Sequence, residues 1–185
     1  MVHSLKLPGR TLFGKGALEE AGAYIRALGT RALIVTGKVV QKSEAFASLT
    51  RVLSKHSVGW AVFSEIPSEP DDAMIETGAR AYSYGGCDFI IGLGGGSPMD
   101  SAKAIAAKVA LPGRVTDHAG RDIAGKLPPL MLIPTTAGSG SESTRYAAII
   151  DSQVGAKLLL RGDALIPALA VVDHTFTLSA PPALT

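Results

Sequence analysis

Short apolar runs punctuate the chain: Ala32-Leu33-Ile34-Val35, Trp60-Ala61-Val62-Phe63, Phe89-Ile90-Ile91, Leu130-Met131-Leu132-Ile133 and Leu169-Ala170-Val171-Val172. Each is too short for a helix and lacks polar alternation, so each reads as a strand covered on both faces. Between the first three runs the apolar positions change to helical spacing. Leu18, Ala21, Ile25 and Leu28 form one such face, closed by Gly29, ahead of the first run. Phe46, Leu49 and Leu53 form a second, on a helix from about 43 to 54. Ile75, Ala79 and Tyr82 form a third, on a helix begun by Pro70 and stopped at Gly85-Gly86. Alternating strand and helix predicts an α/β, Rossmann-like parallel sheet with helices on both faces and right-handed connections. Two extended segments around Pro8-Gly9 belong at its periphery. Residues 146–150 and 157–160 flank Asp151-Ser-Gln-Val-Gly155 and predict a small hairpin. Residues 113–126 carry glycine and polar residues without period. They read as a long loop on the ligand side, a mobile segment, or solvent-exposed padding.

The run at Phe89 enters Gly92-Leu93-Gly94-Gly95-Gly96-Ser97-Pro98. Consecutive residues without a Cβ let backbone approach a ligand. Ser97 is placed to cap the following helix, Pro98 suits the first helical position, and Asp100 sits at capping-box spacing. A helix N-terminus opening off glycines is a site for phosphate, although the same residues also suit a tight turn without a ligand. The usual dinucleotide fingerprint is not matched: Ser97 stands where a third glycine belongs, and no strand-end acid follows about twenty residues later. A second polar loop, Thr135-Thr136-Ala137-Gly138-Ser139-Gly140-Ser141, follows the run at Leu130 and offers hydroxyl donors to phosphate or ribose. In a parallel sheet ligands gather beyond the carboxyl ends of the strands, which places Gly37, the loop near Glu69-Pro70 and Gly94 to Ser97 along one edge.

Composition narrows the function classes. The 185 residues are 46% hydrophobic and 18% charged, which suits one ordinary domain with its own core. A net charge of +2 without a basic run argues against nucleic acid. Apolar stretches such as 127–133 are broken by proline and fall short of the roughly 18 residues of a membrane span. With no apolar leader at the start, a cytoplasmic location is expected. The single cysteine, Cys87, reads as core packing in a reducing compartment. His3, His56, His118 and His174 have no metal-ligand spacing, and neither a nucleophile elbow nor a P-loop is present.

The runs Gly92-Leu-Gly-Gly-Gly-Ser-Pro-Met-Asp-Ser-Ala-Lys103 and Ile133-Pro-Thr-Thr-Ala-Gly-Ser-Gly-Ser-Glu142, with Thr144, Phe13-Gly14-Lys15-Gly16 and Pro181-Pro-Ala-Leu184, resemble the N-terminal half of the iron-containing (group III) alcohol dehydrogenases. The resemblance implies an NAD(P)-binding domain over residues 1–185, ending where a helical domain with the iron (or zinc) ligands would begin. Hydride transfer between nicotinamide and a small alcohol or aldehyde would need both parts, so the chain alone should be inactive. A non-catalytic dinucleotide-binding fragment, a glycerol or glycerol-phosphate dehydrogenase, and a dehydroquinate-synthase-like lyase are the alternatives. The Pro-Thr-Thr-Ala-Gly-Ser-Gly-Ser-Glu run favours the alcohol dehydrogenase branch over the last two.

By the same resemblance Gly95, Gly96 and Ser97 hold the pyrophosphate, Gly94 belongs to the same cofactor-binding loop, and Thr135, Thr136, Ser139 and Thr144 line the cofactor cleft. Lys157 approaches a ribose and Leu184 the nicotinamide end. Glu69 replaces a frequent Asn beside the adenosine, and Asp100 is assigned to helix capping. Gly37 and Lys38 stand where many relatives place an Asp that selects NAD, so NADP should be accepted and preferred. A homodimer is one assembly that the resemblance allows.

Overall fold

The computed structural model describes residues 5–66, 69–178 and 180. The elements run β1 (Arg10–Phe13), α1 (Ala17–Leu28), β2 (Arg31–Val35), α2 (Glu44–Lys55), β3 (Gly59–Phe63), α3 (Asp72–Tyr84), β4 (Phe89–Gly94), α4 (Gly96–Ala110), β5 (Leu130–Pro134), β6 (Tyr146–Asp151), β7 (Ala156–Arg161) and β8 (Leu169–Val172). Six strands form one sheet in the order β1-β8-β5-β4-β2-β3, every pairing parallel. The strands β6 and β7 pair antiparallel as a separate hairpin. This is the predicted α/β, Rossmann-like arrangement with its small hairpin.

Side-chain alternation along the strands builds a core on each face. Leu33, Val35, Ile90 and Leu132 pack with Ile75 and Ile105 of α3 and α4. Ala32, Ile34, Phe89, Ile91, Met131 and Ile133 pack with Leu18, Ile25, Leu49 and Leu53 of α1 and α2. Helix α4 is buried nearly all round, from Pro98 to Ala107, because the hairpin covers the side that the sheet does not.

Two helix starts differ from the local sequence signals. Helix α3 is capped by Asp71, whose Oδ1 accepts from the Met74 amide at 2.8 Å, so Pro70 lies before the helix instead of opening it. Helix α4 begins two residues early. Gly95 is its cap residue, in extended backbone and without a side chain to donate or accept, and Ser97 is its second residue. The early start follows from Gly94, whose φ of 148° turns the chain off β4 before Ser97 is reached.

Residues 113–126, which gave no pattern, are anchored at particular positions and do not serve only as exposed padding. Val115 and Ile123 are buried, and the segment ties the hairpin to α3. Arg114 donates from Nη2 to Asp72 Oδ2 at 2.7 Å and to Asp151 Oδ1 at 3.1 Å, and from Nη1 to Gln153 Oε1 at 2.7 Å. Asp72 Oδ1 accepts from the Ser152 amide at 2.9 Å. Burial pushes the Asp72 carboxyl up, but the Ser152 and Arg114 hydrogen bonds outweigh it and hold the group down at about 2.

Arg114→Met should therefore leave Asp72 without its cation and lower the urea midpoint. A carboxyl depressed in the folded state stabilises fully above its ordinary 3.8 and loses that contribution as pH falls through about 2. The gap between wild type and variant should accordingly narrow as titrations move from neutral pH to below 3.8. A gap that does not change with pH would detach the effect from Asp72.

Candidate functional site

Because the six strands are parallel, Gly14, Thr36-Gly37, Gly95, Thr135 and Asp173 all follow strands at the same carboxyl edge. Strand β2 has β3 on one side and β4 on the other, so the direction in which successive strands are added reverses between β2 and β4, a switch point at which such sheets open a crevice. The glycine loop after β4 borders that crevice.

A cavity of about 240 Å³ opens at the head of α4. Gly96 and Ser97 form its floor, Glu69 and Pro70 one wall, and Ile149, Ile150 and Lys157 of the hairpin the other, with Ser139 and Ser141 closing the side. Pro98 has no N–H, so the amides that head the helix are those of Gly96 and Ser97. A Cβ at Gly96 would project to 3.3 Å from Ser139 Cβ and 3.7 Å from Ser141 Oγ, which means that the absence of a side chain keeps this floor open. Lys157 Nζ lies 3.1 Å from Glu69 Oε1, a pair that spans the two walls.

The same cavity is lined by Asp100, a half-buried carboxylate whose spacing predicted a helix cap. Asp100 is not a cap: its Oδ2 accepts from the Ala148 amide of β6 at 3.0 Å, while Oδ1 is buried with no hydrogen-bond partner. Burial raises its pKa, opposed by the Ala148 amide and the nearby Ser141 hydroxyl. One turn on, Lys103 is fully buried and donates to the carbonyl oxygens of Thr144 at 2.7 Å and Tyr146 at 2.8 Å. Burial pushes its pKa down to about 8, against the pull of Asp100 and Glu142. The signal for this anchor was present in the sequence, since Lys103 sits among alanines and Ile105 on a helix with no polar face.

A second cavity, of about 1020 Å³, lies over the β5, β8 and β1 ends, between Lys15-Gly16, Val39 and Ser48, and Phe176 and Leu178. The expected site residues are thus divided. Glu69, Gly96, Ser97, Ser139 and Lys157 meet in the smaller cavity, and Thr135 and Thr136 face the larger one. Gly95 stands between them, its Cβ direction pointing to Thr136 Oγ1 at 3.2 Å. Gly94 packs on Pro98, and Thr144 is engaged by Lys103. Gly37 and the exposed Lys38 lie at the β2 end of the crevice and line neither cavity. Leu184 and the rest of 181–185 lie outside the described residues, as does His3. Among the described residues no group of three or more His, Cys, Asp or Glu stands together as a metal site. No helix of the described residues is long and apolar enough to cross a membrane.

The profile of the family described as iron-containing alcohol dehydrogenase matches residues 8–174. A choline dehydrogenase of Bacillus subtilis (strain 168) is 31% identical over 99% of this chain and 47% of its own length. An NAD-dependent methanol dehydrogenase of Bacillus methanolicus is 31% identical over 97% and 48%. Among solved structures, a 1,3-propanediol oxidoreductase superposes with a TM-score of 0.97 at 28% identity, covering all of this chain and 49% of the other. The chain therefore spans about half the length of the relatives it matches. With a family match across nearly the whole chain and the same sheet in a solved relative, this protein belongs to the iron-containing alcohol dehydrogenase family.

Proposed function

We propose that residues 1–185 form the dinucleotide-binding domain of an NAD(P)-dependent alcohol dehydrogenase, with the metal-binding part of the enzyme contributed by sequence outside this chain. The observation that carries this reading is the head of α4, where Gly96 and Ser97 open onto a cavity whose far wall bears Lys157. Two helix-end amides and the positive end of the helix dipole favour a pyrophosphate by about 1 to 2 kcal/mol in a partly buried setting. Lys157 adds a cation within reach of the same ligand, and Ser139 a hydroxyl. When bound, the nicotinamide exchanges a hydride with the carbon of a small alcohol or aldehyde. This chain's own residues bind and orient it: Gly95, Gly96 and Ser97 at the pyrophosphate, Lys157 at a ribose, Thr135 and Thr136 beyond the glycine loop, and Leu184 toward the nicotinamide. Thr144 supports this arrangement through Lys103 instead of contacting the ligand. The described residues do not fit an iron ion, so they supply the cofactor side only.

Gly96→Val should abolish dinucleotide binding, by about tenfold or more in calorimetry, because its branches fill the floor. The fold should survive, since the nearest atoms are movable serine side chains. Gly92→Val is the contrasting control: its Cβ would meet Leu132 Cδ2 at 2.7 Å and the Met99 Cα at 3.2 Å, so that variant should lose the fold itself. Unchanged affinity in folded Gly96→Val would overturn the site.

NADP should bind more tightly than NAD. The β2 end carries Gly37 and the exposed Lys38, which leave room and positive charge for a 2′-phosphate. Gly37→Asp meets only Ile66 O at 3.6 Å and should be accommodated, reversing the preference through repulsion of that phosphate. Fluorescence titration with NADPH and NADH reads both constants, and tighter NADH binding by wild type would contradict the assignment.

The dialysed 185-residue chain should retain little iron or zinc and show no reduction of NADP or NAD by ethanol, propanediol or glycerol. Elemental analysis beside an absorbance assay checks both, and turnover abolished by a chelator would reveal a ligand set in this chain.

A further inference from the structure

The smaller cavity presents one basic side chain among the described residues that line it, Lys157, and that side chain is paired with Glu69. Their separation of 3.1 Å joins the hairpin wall to the wall that precedes α3. Both side chains are more than half exposed, so the pair is a weak surface interaction that exchanges readily for another partner. The other carboxylate on the cavity, Asp100, is turned toward the Ala148 amide and offers no positive charge to an anion. In this arrangement a phosphate meets the helix-end amides but no uncompensated cation.

We infer that Glu69 restrains dinucleotide binding by lowering the affinity of this cavity for a phosphate. It neutralises Lys157, and it keeps a negative charge on the rim once Lys157 has moved to the ligand. This inference rests on the reading of the cavity as a pyrophosphate site. Glu69 lines the same cavity of about 240 Å³ as Gly96 and Ser97, and with a Debye length of about 8 Å at physiological salt its charge is incompletely screened from a phosphate seated there. Removing the charge while keeping the shape should release Lys157 and strengthen binding.

The test is fluorescence titration of the 185-residue chain with NADPH at low and high ionic strength. Glu69→Gln should bind roughly two- to fivefold more tightly than wild type at low salt, the range set by an exposed ion pair. That gain should shrink as salt rises, and Glu69→Asp, which keeps the charge, should show none. Wild type that binds NADPH while Glu69→Gln is unchanged or weaker would overturn the inference and leave the cofactor reading standing. An equal gain in Glu69→Asp, or one indifferent to salt, would also overturn it by showing an effect of size and not of charge. Absence of NADPH binding by wild type and Glu69→Gln alike would overturn the cofactor reading and this inference with it.

Discussion

A helix buried on every side cannot leave a charged side chain unanswered, and Lys103 is the side chain that imposes this constraint. Its ammonium group is fully buried under β6, where it takes the carbonyl oxygens of Thr144 and Tyr146. An unpaired buried charge would cost several kcal/mol, so the chain entering β6 is fixed over α4 by the need to satisfy it. Asp100, one turn earlier on the helix, fixes the same strand by accepting from the Ala148 amide. Two side chains of α4 thus set both the height and the register of a hairpin that shares no ladder with the main sheet.

That placement makes the cavity. The hairpin would otherwise be a marginal two-stranded unit, and it becomes a wall because polar contacts hold it along its length. Arg114 joins the hairpin turn to the start of α3, and the Ile150 amide donates to Pro70 O at 2.9 Å. These ties set the separation between the Glu69-Pro70 wall and the Lys157 wall. The width of the cavity is therefore decided by a bond between its own walls, Ile150 to Pro70, together with Arg114, which does not line it.

The layered fold was legible because strand runs, helical spacing and glycine stops agree locally and meet no competing demand. Apolar runs such as Phe89-Ile90-Ile91 are buried on both faces, as their composition requires. Ser43, followed by a good helix-forming segment, caps α2 by accepting from the Phe46 amide. The misreadings cluster where sequence-distant partners compete for a side chain. Asp100 had capping spacing, but a strand 48 residues later supplied it with an amide. Arg114 lies in a segment with no period, and its meaning depends on Asp72 and Asp151, which no local window contains. The division of the expected cofactor residues between two cavities was equally out of reach, because it follows from where β5 sits beside β4 and β8.

The glycines of the loop are not interchangeable, and their separate duties explain why a run of them is needed. Gly92 is a packing glycine, since any Cβ would strike Leu132 and the α4 backbone at Met99. Gly94 is a conformational glycine, held at a φ of 148° that side chains rarely adopt. Gly96 is neither: its backbone is ordinary helix, and its Cβ direction has room if Ser139 yields by a few tenths of an ångström. Neither fold stability nor backbone strain accounts for a glycine at that position. What it leaves open is the approach to the first amides of α4. A turn without a ligand would require Gly92 and Gly94 but makes no demand for glycine at position 96 where Ser139 can yield. Position 96 is thus the one at which a structural turn and the proposed anion site make different demands, and glycine there is what the proposed site asks for.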